Sequence, residues 1–181
     1  TLEFGEMGGT RLTHTQMLDE LVETGYTGSE LGDWGFMPTD PAALTAEYAT
    51  RHLTLTGAFV GVALENRAKV AQGEAVVIKT AHLLAAVADS LGTGVRPFLV
   101  LAADNGTDAV RTKNAGRITP DMELSAEQWR ILADNANRLA QRVREETGLH
   151  MVFHAHCAGF VETPTEIARF LDLTDPSLLG L

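Results

Sequence analysis

Cysteine is nearly absent from this chain: Cys157 is the only one in 181 residues. No intrachain disulfide can form, and nothing in the composition asks for an oxidising compartment, so a cytoplasmic setting is expected. Basic residues are also scarce, 14 Lys and Arg against 24 Asp and Glu, for a formal charge of −10. A surface of that sign repels a phosphate backbone, which excludes a broad nucleic-acid face and disfavours a DNA-repair nuclease. Long apolar runs are missing too. The strongest, Pro97 to Ala103, is far too short to span a bilayer, and the opening Thr1-Leu2-Glu3-Phe4-Gly5 has no basic segment leading into an apolar one. Neither a membrane span nor a targeting segment is expected. No G-x-G-x-x-G follows a predicted strand, and Gly5, Gly8 and Gly9 stand too near the start to belong to a full βαβ unit, so no nucleotide cofactor is expected.

What is present is a regular alternation of helix and strand. Thr13 and Gln16 have the spacing of a capping box, and Met17, Leu18, Leu21 and Val22 form an apolar stripe that predicts a helix from about His14 to Thr24. Residues 28–32 read as a short strand. Asp40-Pro41 opens a helix running to about His52, and the β-branched and aromatic residues of 53–64 predict a strand broken by Glu65-Asn66. An alanine-rich helix is expected over about 74–91, then the continuous apolar strand 97–103 of the kind buried on both faces of a parallel sheet. Residues 105–124 read as a long polar loop. Ser125 with Gln128, and Thr163 with Glu166, repeat the capping-box spacing and open two more helices on either side of a strand at about 149–156. Residues 177–181 look like the start of another strand.

With 45% hydrophobic and 21% charged residues the chain can bury a sizeable core, and a single domain over residues 1–181 is the expectation. The alternation gives fold class α/β with a parallel sheet and helical crossovers. An open doubly wound sheet and a closed eight-stranded barrel both satisfy it. The barrel typically needs about 250 residues.

In parallel α/β barrels the site gathers at the C-terminal ends of the strands, so the polar residues that terminate each apolar run carry the information. Here they are Glu30, with Asp33 and Trp34 beyond it, then Glu65 and Asn66, Asp104 and Asn105, and His154 with His156. Each position alone also fits a solvated strand end or a helix cap. Their recurrence at successive strands favours a pocket. His154 and His156 are two apart on a strand and so project from one face, where imidazoles can ligate zinc, manganese, cobalt or iron or move protons near neutral pH. Two partly exposed, hydrogen-bonded histidines would look the same in sequence. Glu162 can add a carboxylate to the pocket or favour the helix N-terminus that follows it. Arg111, Lys113 and Arg117 form a basic group that can hold an anion or simply keep a loop soluble. Cys157 points to the opposite face from its histidine neighbours and reads as a small buried residue rather than a nucleophile. Trp34 and Phe36 can wall a sugar ring or cover the end of the sheet.

The segment Gly25-Tyr26-Thr27-Gly28-Ser29-Glu30-Leu31-Gly32, the run Gly35-Phe36-Met37-Pro38-Thr39-Asp40-Pro41, and Phe153-His154-Ala155-His156 through Gly159-Phe160-Val161-Glu162-Thr163 together resemble the xylose-isomerase-like barrels of the sugar phosphate isomerase/epimerase group, especially its inosose dehydratase branch. The resemblance covers nearly the whole chain. It implies a (β/α)8 fold of TIM-barrel type with a divalent metal (manganese, cobalt or zinc) at the strand ends. The implied activity is that of a sugar or polyol isomerase or epimerase, or an inosose-dehydratase-type lyase, transferring protons next to a carbonyl. The implied ligand is a small sugar, keto sugar or inositol derivative. In that reading Glu30, His154 and Glu162 are catalytic, Trp34, Glu65, Asp104, Lys113 and Arg117 bind substrate, and His154 and His156 hold the metal. The alternative is a non-catalytic sugar-binding or truncated barrel domain.

Two departures from the family pattern stand out. Relatives usually begin with a strand before the region matched by Thr1 to Gly9, and they continue past the position of Leu181 with a strand bearing an Asp-Thr-Gly-His type motif. The chain is therefore expected to be the N-terminal portion of a barrel, with about five to six βα units. Where many epimerases have a metal-binding glutamate at the fifth strand, this sequence has the two histidines. An unclosed sheet would leave open edges, so either pairing with a second copy as a homo-oligomer or continuation in a longer polypeptide is expected.

Overall fold

The computed structural model describes residues 12–181; the glycines at 5, 8 and 9 and the opening segment considered above lie outside them. The elements in order are α1 (His14–Glu23), β1 (Gly28–Glu30), α2 (Pro41–Thr50), β2 (Thr54–Val62), α3 (Val70–Leu91), β3 (Phe98–Ala103), α4 (Ala109–Lys113), a 3-10 turn (Pro120–Met122), α5 (Ala126–Thr147), β4 (Met151–Phe153), α6 (Pro164–Leu173) and β5 (Leu179–Gly180). The strands form one sheet in the order β1-β2-β3-β4-β5, with parallel pairing between β1 and β2, β3 and β4, and β4 and β5. Sequential strand order with a helix in each connection is the arrangement of a wound α/β barrel, not of a doubly wound sheet, in which the order reverses.

Three helices begin as the spacing predicts. Thr13, Ser125 and Thr163 each accept from the backbone N–H three residues on, while Gln16, Gln128 and Glu166 reach back to the cap. At the other end of α5, Gly148 takes φ 69°, the left-handed conformation that closes a helix without a Cβ penalty. The polar stretch 105–124 departs from the expected open loop. It holds α4, capped by the Asp108 side chain on the Arg111 N–H, and the 3-10 turn at Pro120. A five-residue helix is too short for periodicity to reveal, and the Asp108 cap was its one local signal.

The chain divides into two compact units, residues 1–58 with 83–97 and residues 59–82 with 98–181. In the first, Tyr48 is buried and its hydroxyl lies 2.9 Å from Ser29 Oγ, tying α2 to β1. Burial pushes the Tyr48 phenol upward, with the Ser29 bond opposing and the charge of Glu30 adding to the rise. In the second, Leu99, Leu101, Met151 and Phe153 of the central strands are buried, as are Trp129, Leu132 and Leu139 of α5 and Phe170 of α6. The Phe153 and Phe170 rings stand 4.0 Å apart between centroids.

Helix α3 is long and apolar enough to cross a membrane by length and composition, a feature the strand-by-strand reading passed over. Here it is the crossover from β2 to β3, with Val70, Val77, Ala81, Leu84 and Val87 buried. Its approach to the sheet is tight at Gly73. A Cβ there would stand 2.4 Å from Val62 Cγ1 and 3.1 Å from Val62 Cβ. Alanine would gain about 1 kcal/mol of helix propensity, yet the clash typically costs about 1–3 kcal/mol, so Gly73→Ala is expected to lower stability by up to about 2 kcal/mol in urea unfolding. An unchanged midpoint would show that α3 can shift away from β2.

Candidate functional site

The polar residues that follow β2, β3 and β4 lie in the second unit. His154 continues the β3–β4 ladder, its N–H donating to the Leu101 carbonyl at 2.8 Å, so its place at the strand end is set by backbone pairing. The His154 and His156 rings are 5.4 Å apart at 75°, and Phe59 of β2 stands edge-on to His154 at 6.1 Å and tilted toward His156 at 6.2 Å. Phe59 was read from the sequence only as a strand former. Its exposed ring forms an apolar side of the histidine pair.

His156 is held by its Nδ1, which lies 2.8 Å from the Cys157 carbonyl oxygen and 3.2 Å from Asn105 Nδ2. A carbonyl can only accept and an amide nitrogen can only donate, so the two contacts ask opposite things of Nδ1; the shorter one, to Cys157, is met by a proton on Nδ1 with the Asn105 amide turned to present its oxygen, which leaves the lone pair of the neutral ring on Nε2. The turn after it is unusual. Ala158 has φ 65°, a left-handed conformation that costs a residue with a Cβ on the order of 1–3 kcal/mol. Glu162 holds this turn in place. One carboxylate oxygen accepts the Ala158 N–H at 2.8 Å and the other accepts the Gly116 N–H. Its carboxylate therefore braces two loops.

A second carboxylate group sits at the ends of β2 and β3. Glu65 is half-buried, and its Oε2 is out of solvent with no hydrogen-bond partner among the described residues. Burial pushes its carboxyl above the usual range and the nearby Asp104 charge adds to this, while its own N–H and Lys69 act the other way. Asp104 is also raised by burial, with Lys69 opposing. Two carboxyls with raised affinity for protons beside one ammonium make a proton-holding group. Lys69 borders both grooves at this end of the unit, one of about 520 Å³ that includes Glu65, Asp108, Gln128 and Phe160, the other of about 240 Å³ that includes Gly61 and Asp104. Lys69 was not singled out in the sequence, because it lies past the strand end in the turn leading to α3. At Gly61 a Cβ would come within 3.5 Å of Asp104 Oδ1, so glycine leaves that carboxylate open on one side.

The basic trio of the long segment separates. Lys113 and Arg117 are exposed at the C-terminal end of α4, where Arg117 donates to the Lys113 carbonyl at 3.1 Å. Arg111 is buried, contrary to its reading as a loop cation available to an anion. Its guanidinium pairs with both oxygens of Glu166 at 2.8 and 2.9 Å and donates through Nε to the Gly159 carbonyl. Cys157, read as buried, is exposed. Glu30 and Trp34 belong to the first unit: Glu30 ends β1 and Trp34 is in the turn beyond it, 41% exposed.

A divalent metal needs several converging donors. Among the described residues no group of three or more His, Cys, Asp or Glu is arranged to hold one. Glu162, the nearest candidate for a third ligand beside the histidines, is already committed to two backbone N–H groups. The described residues therefore do not form a metal site by themselves, and no chemical step is routed through one.

The fold is similar to that of solved TIM barrels. A 3-keto-D-glucoside 4-epimerase from E. coli superposes with a TM-score of 0.68 over 93% of this chain and 62% of its own, at 17% identity. A xylose isomerase-like TIM barrel protein from Mycobacterium smegmatis, in complex with magnesium, gives 0.62 over 92% and 54%, at 14% identity. In sequence the chain is similar to inosose dehydratases. That of Geobacillus kaustophilus (strain HTA426) is 28% identical over 173 residues, which are 96% of this chain and 53% of the relative. The chain thus spans about half the length of the curated relatives it matches. No family model matches it.

Proposed function

We propose that this chain carries part of the site of a sugar or polyol isomerase, epimerase or inosose-dehydratase-type lyase that moves protons next to a carbonyl. The observation that supports it most is the His154–His156 pair at the end of a parallel strand, walled by Phe59, in a chain similar to inosose dehydratases over 96% of its length. His156 Nε2, left with the lone pair, takes a proton from the carbon next to a keto group and leaves an enolate. Return of a proton to the other face gives the epimer; loss of a β-hydroxyl as water gives the dehydrated product. Glu65 and Asp104, holding protons above the usual carboxyl range, suit the role of donor to a leaving hydroxyl or of hydrogen-bond partner to the substrate. Lys113 and Arg117 stand beside the Gly116–Glu162 clamp, where they would meet a substrate only at its rim. Glu162 braces the turn rather than transferring protons, while Glu30 and Trp34 lie in the first unit and carry no step here.

The reading is tested by product analysis with a keto-inositol and a set of keto sugars. Epimer or dehydrated product from any of them supports it, and binding without turnover favours the second reading, a sugar-binding domain without catalysis. A divalent metal enters through the magnesium-bound neighbour, and imidazole ligation suits manganese, cobalt or zinc. Because two imidazoles without a third donor bind weakly, calorimetry is expected to show only loose binding of each ion. Tight one-to-one binding would mean that the donors converge more closely than described.

A further inference from the structure

Arg111 and Glu166 take no part in the chemistry proposed above, yet their bonds converge on the turn that carries His156. Arg111 is 1% exposed and is reached from α4, far from the histidines in sequence. Its Nε donates to the Gly159 carbonyl at 2.5 Å, one Nη to the Met122 carbonyl at 3.1 Å and to Glu166, and the other Nη to the second Glu166 oxygen. The guanidinium also stacks on Phe160, 5.3 Å from the ring centroid. Glu166 Oε2 in turn accepts the N–H groups of Glu162 and Thr163, each at 3.0 Å. Glu162 then accepts the N–H of Ala158, the residue in the left-handed conformation two places after His156.

The order of contacts is thus Arg111 to Glu166, Glu166 to the backbone of Glu162, Glu162 to Ala158, and within the same turn the Cys157 carbonyl to His156 Nδ1. Arg111 also grips the turn directly at Gly159. A strained turn persists only when its surroundings over-determine it: here the Gly106 N–H on the Ala158 carbonyl and the Gly116 N–H on Glu162 hold it from one side, and this guanidinium with its carboxylate partner holds it from the other. We infer that Arg111 is a positioning residue: by fixing the 157–162 turn it holds His156 in the tautomer with Nε2 free. Lysine cannot replace it, because a single ammonium cannot span both Glu166 oxygens and the Gly159 carbonyl in the geometry of a planar fork.

This inference rests on the reading of His156 as a proton-transfer group, but the ring itself provides a test that does not depend on activity. The experiment is nitrogen-15 NMR of the histidine side chains in the full protein, comparing wild type with Arg111→Lys and Glu162→Gln, each checked for folding by circular dichroism. The wild type is expected to show His156 with its proton on Nδ1. In both variants His156 is expected to become a mixture of tautomers while His154, held by its ladder bond to Leu101, keeps its signals. A wild-type His156 pattern in a folded variant would overturn the inference, and Glu162→Gln, which keeps one acceptor for the turn, supplies that comparison if Arg111→Lys does not fold. In turnover, a misplaced base should lower kcat by about 100-fold with KM little changed. Loss of the tautomer signature in a protein that never turns over a keto sugar would leave the positioning intact and remove the catalytic reading, so the two failures are distinct.

Discussion

Arg111→Ala is expected to lower the stability of the fold by about 3–5 kcal/mol, the usual cost of leaving one partner of a buried ion pair without the other. Glu166 would keep its two backbone N–H bonds but lose both guanidinium bonds at a fully buried position. The Gly159 and Met122 carbonyls would lose a donor as well. Denaturant unfolding reads the change. A loss below about 1 kcal/mol, the range of an exposed ion pair, would show that water reaches the pair. Replacing both partners with apolar residues of similar volume should recover part of the loss, since the penalty arises mainly from the stranded charge.

The same pair contributes to the acid limb of stability. Burial pushes the Glu166 carboxyl up, but the Arg111 bonds and the Thr163 and Glu162 N–H groups outweigh it and hold it below the ordinary value of 4.5. A depressed native value means that the unfolded chain binds the proton first as pH falls. The stabilisation is therefore complete above 4.5 and is lost as pH drops through the lowered native value. Glu65 and Asp104 act in the opposite sense: their raised values make the folded state the better proton binder, so they favour folding progressively as pH falls toward their ordinary values. Melting temperature against pH should accordingly peak on the acid side of neutrality and fall below 4.5, and Glu166→Gln should flatten the acid limb.

Much of the frame was legible because its signals are local. Capping boxes need only three residues of spacing, and Thr13, Ser125 and Thr163 each start a helix where they predict one. Continuous apolarity marks β3, and alternation of helix with strand gives the parallel sheet. The site was legible only as strand ends. Glu166 was visible as a capping residue, but its second role depends on Arg111, 55 positions away, and nothing in a single sequence joins them. Lys69 escaped notice for a related reason: its importance comes from standing beside Glu65 and Asp104 in space, not from any motif. Glu162 has a second role that its position does not announce. Its position suggested a carboxylate near the histidines, and only the structure shows that its two oxygens also accept the backbone N–H groups of Gly116 and Ala158.

His156→Ala is expected to reduce proton transfer by about 100- to 10,000-fold, the range for removing a positioned general base, with little effect on stability because the ring lies near the surface. His154→Ala should also lower the rate, since the ring 5.4 Å away shapes the same face. The most direct measurement is solvent deuterium incorporation into a keto-inositol in D₂O, followed by proton NMR for wild type, His156→Ala and the double alanine variant. Enolisation exchanges the hydrogen next to the carbonyl whether or not water is later lost, so the readout is independent of which product forms. The reading requires exchange by the wild type above the uncatalysed rate and its loss in both variants; exchange that survives intact in the double variant would contradict it.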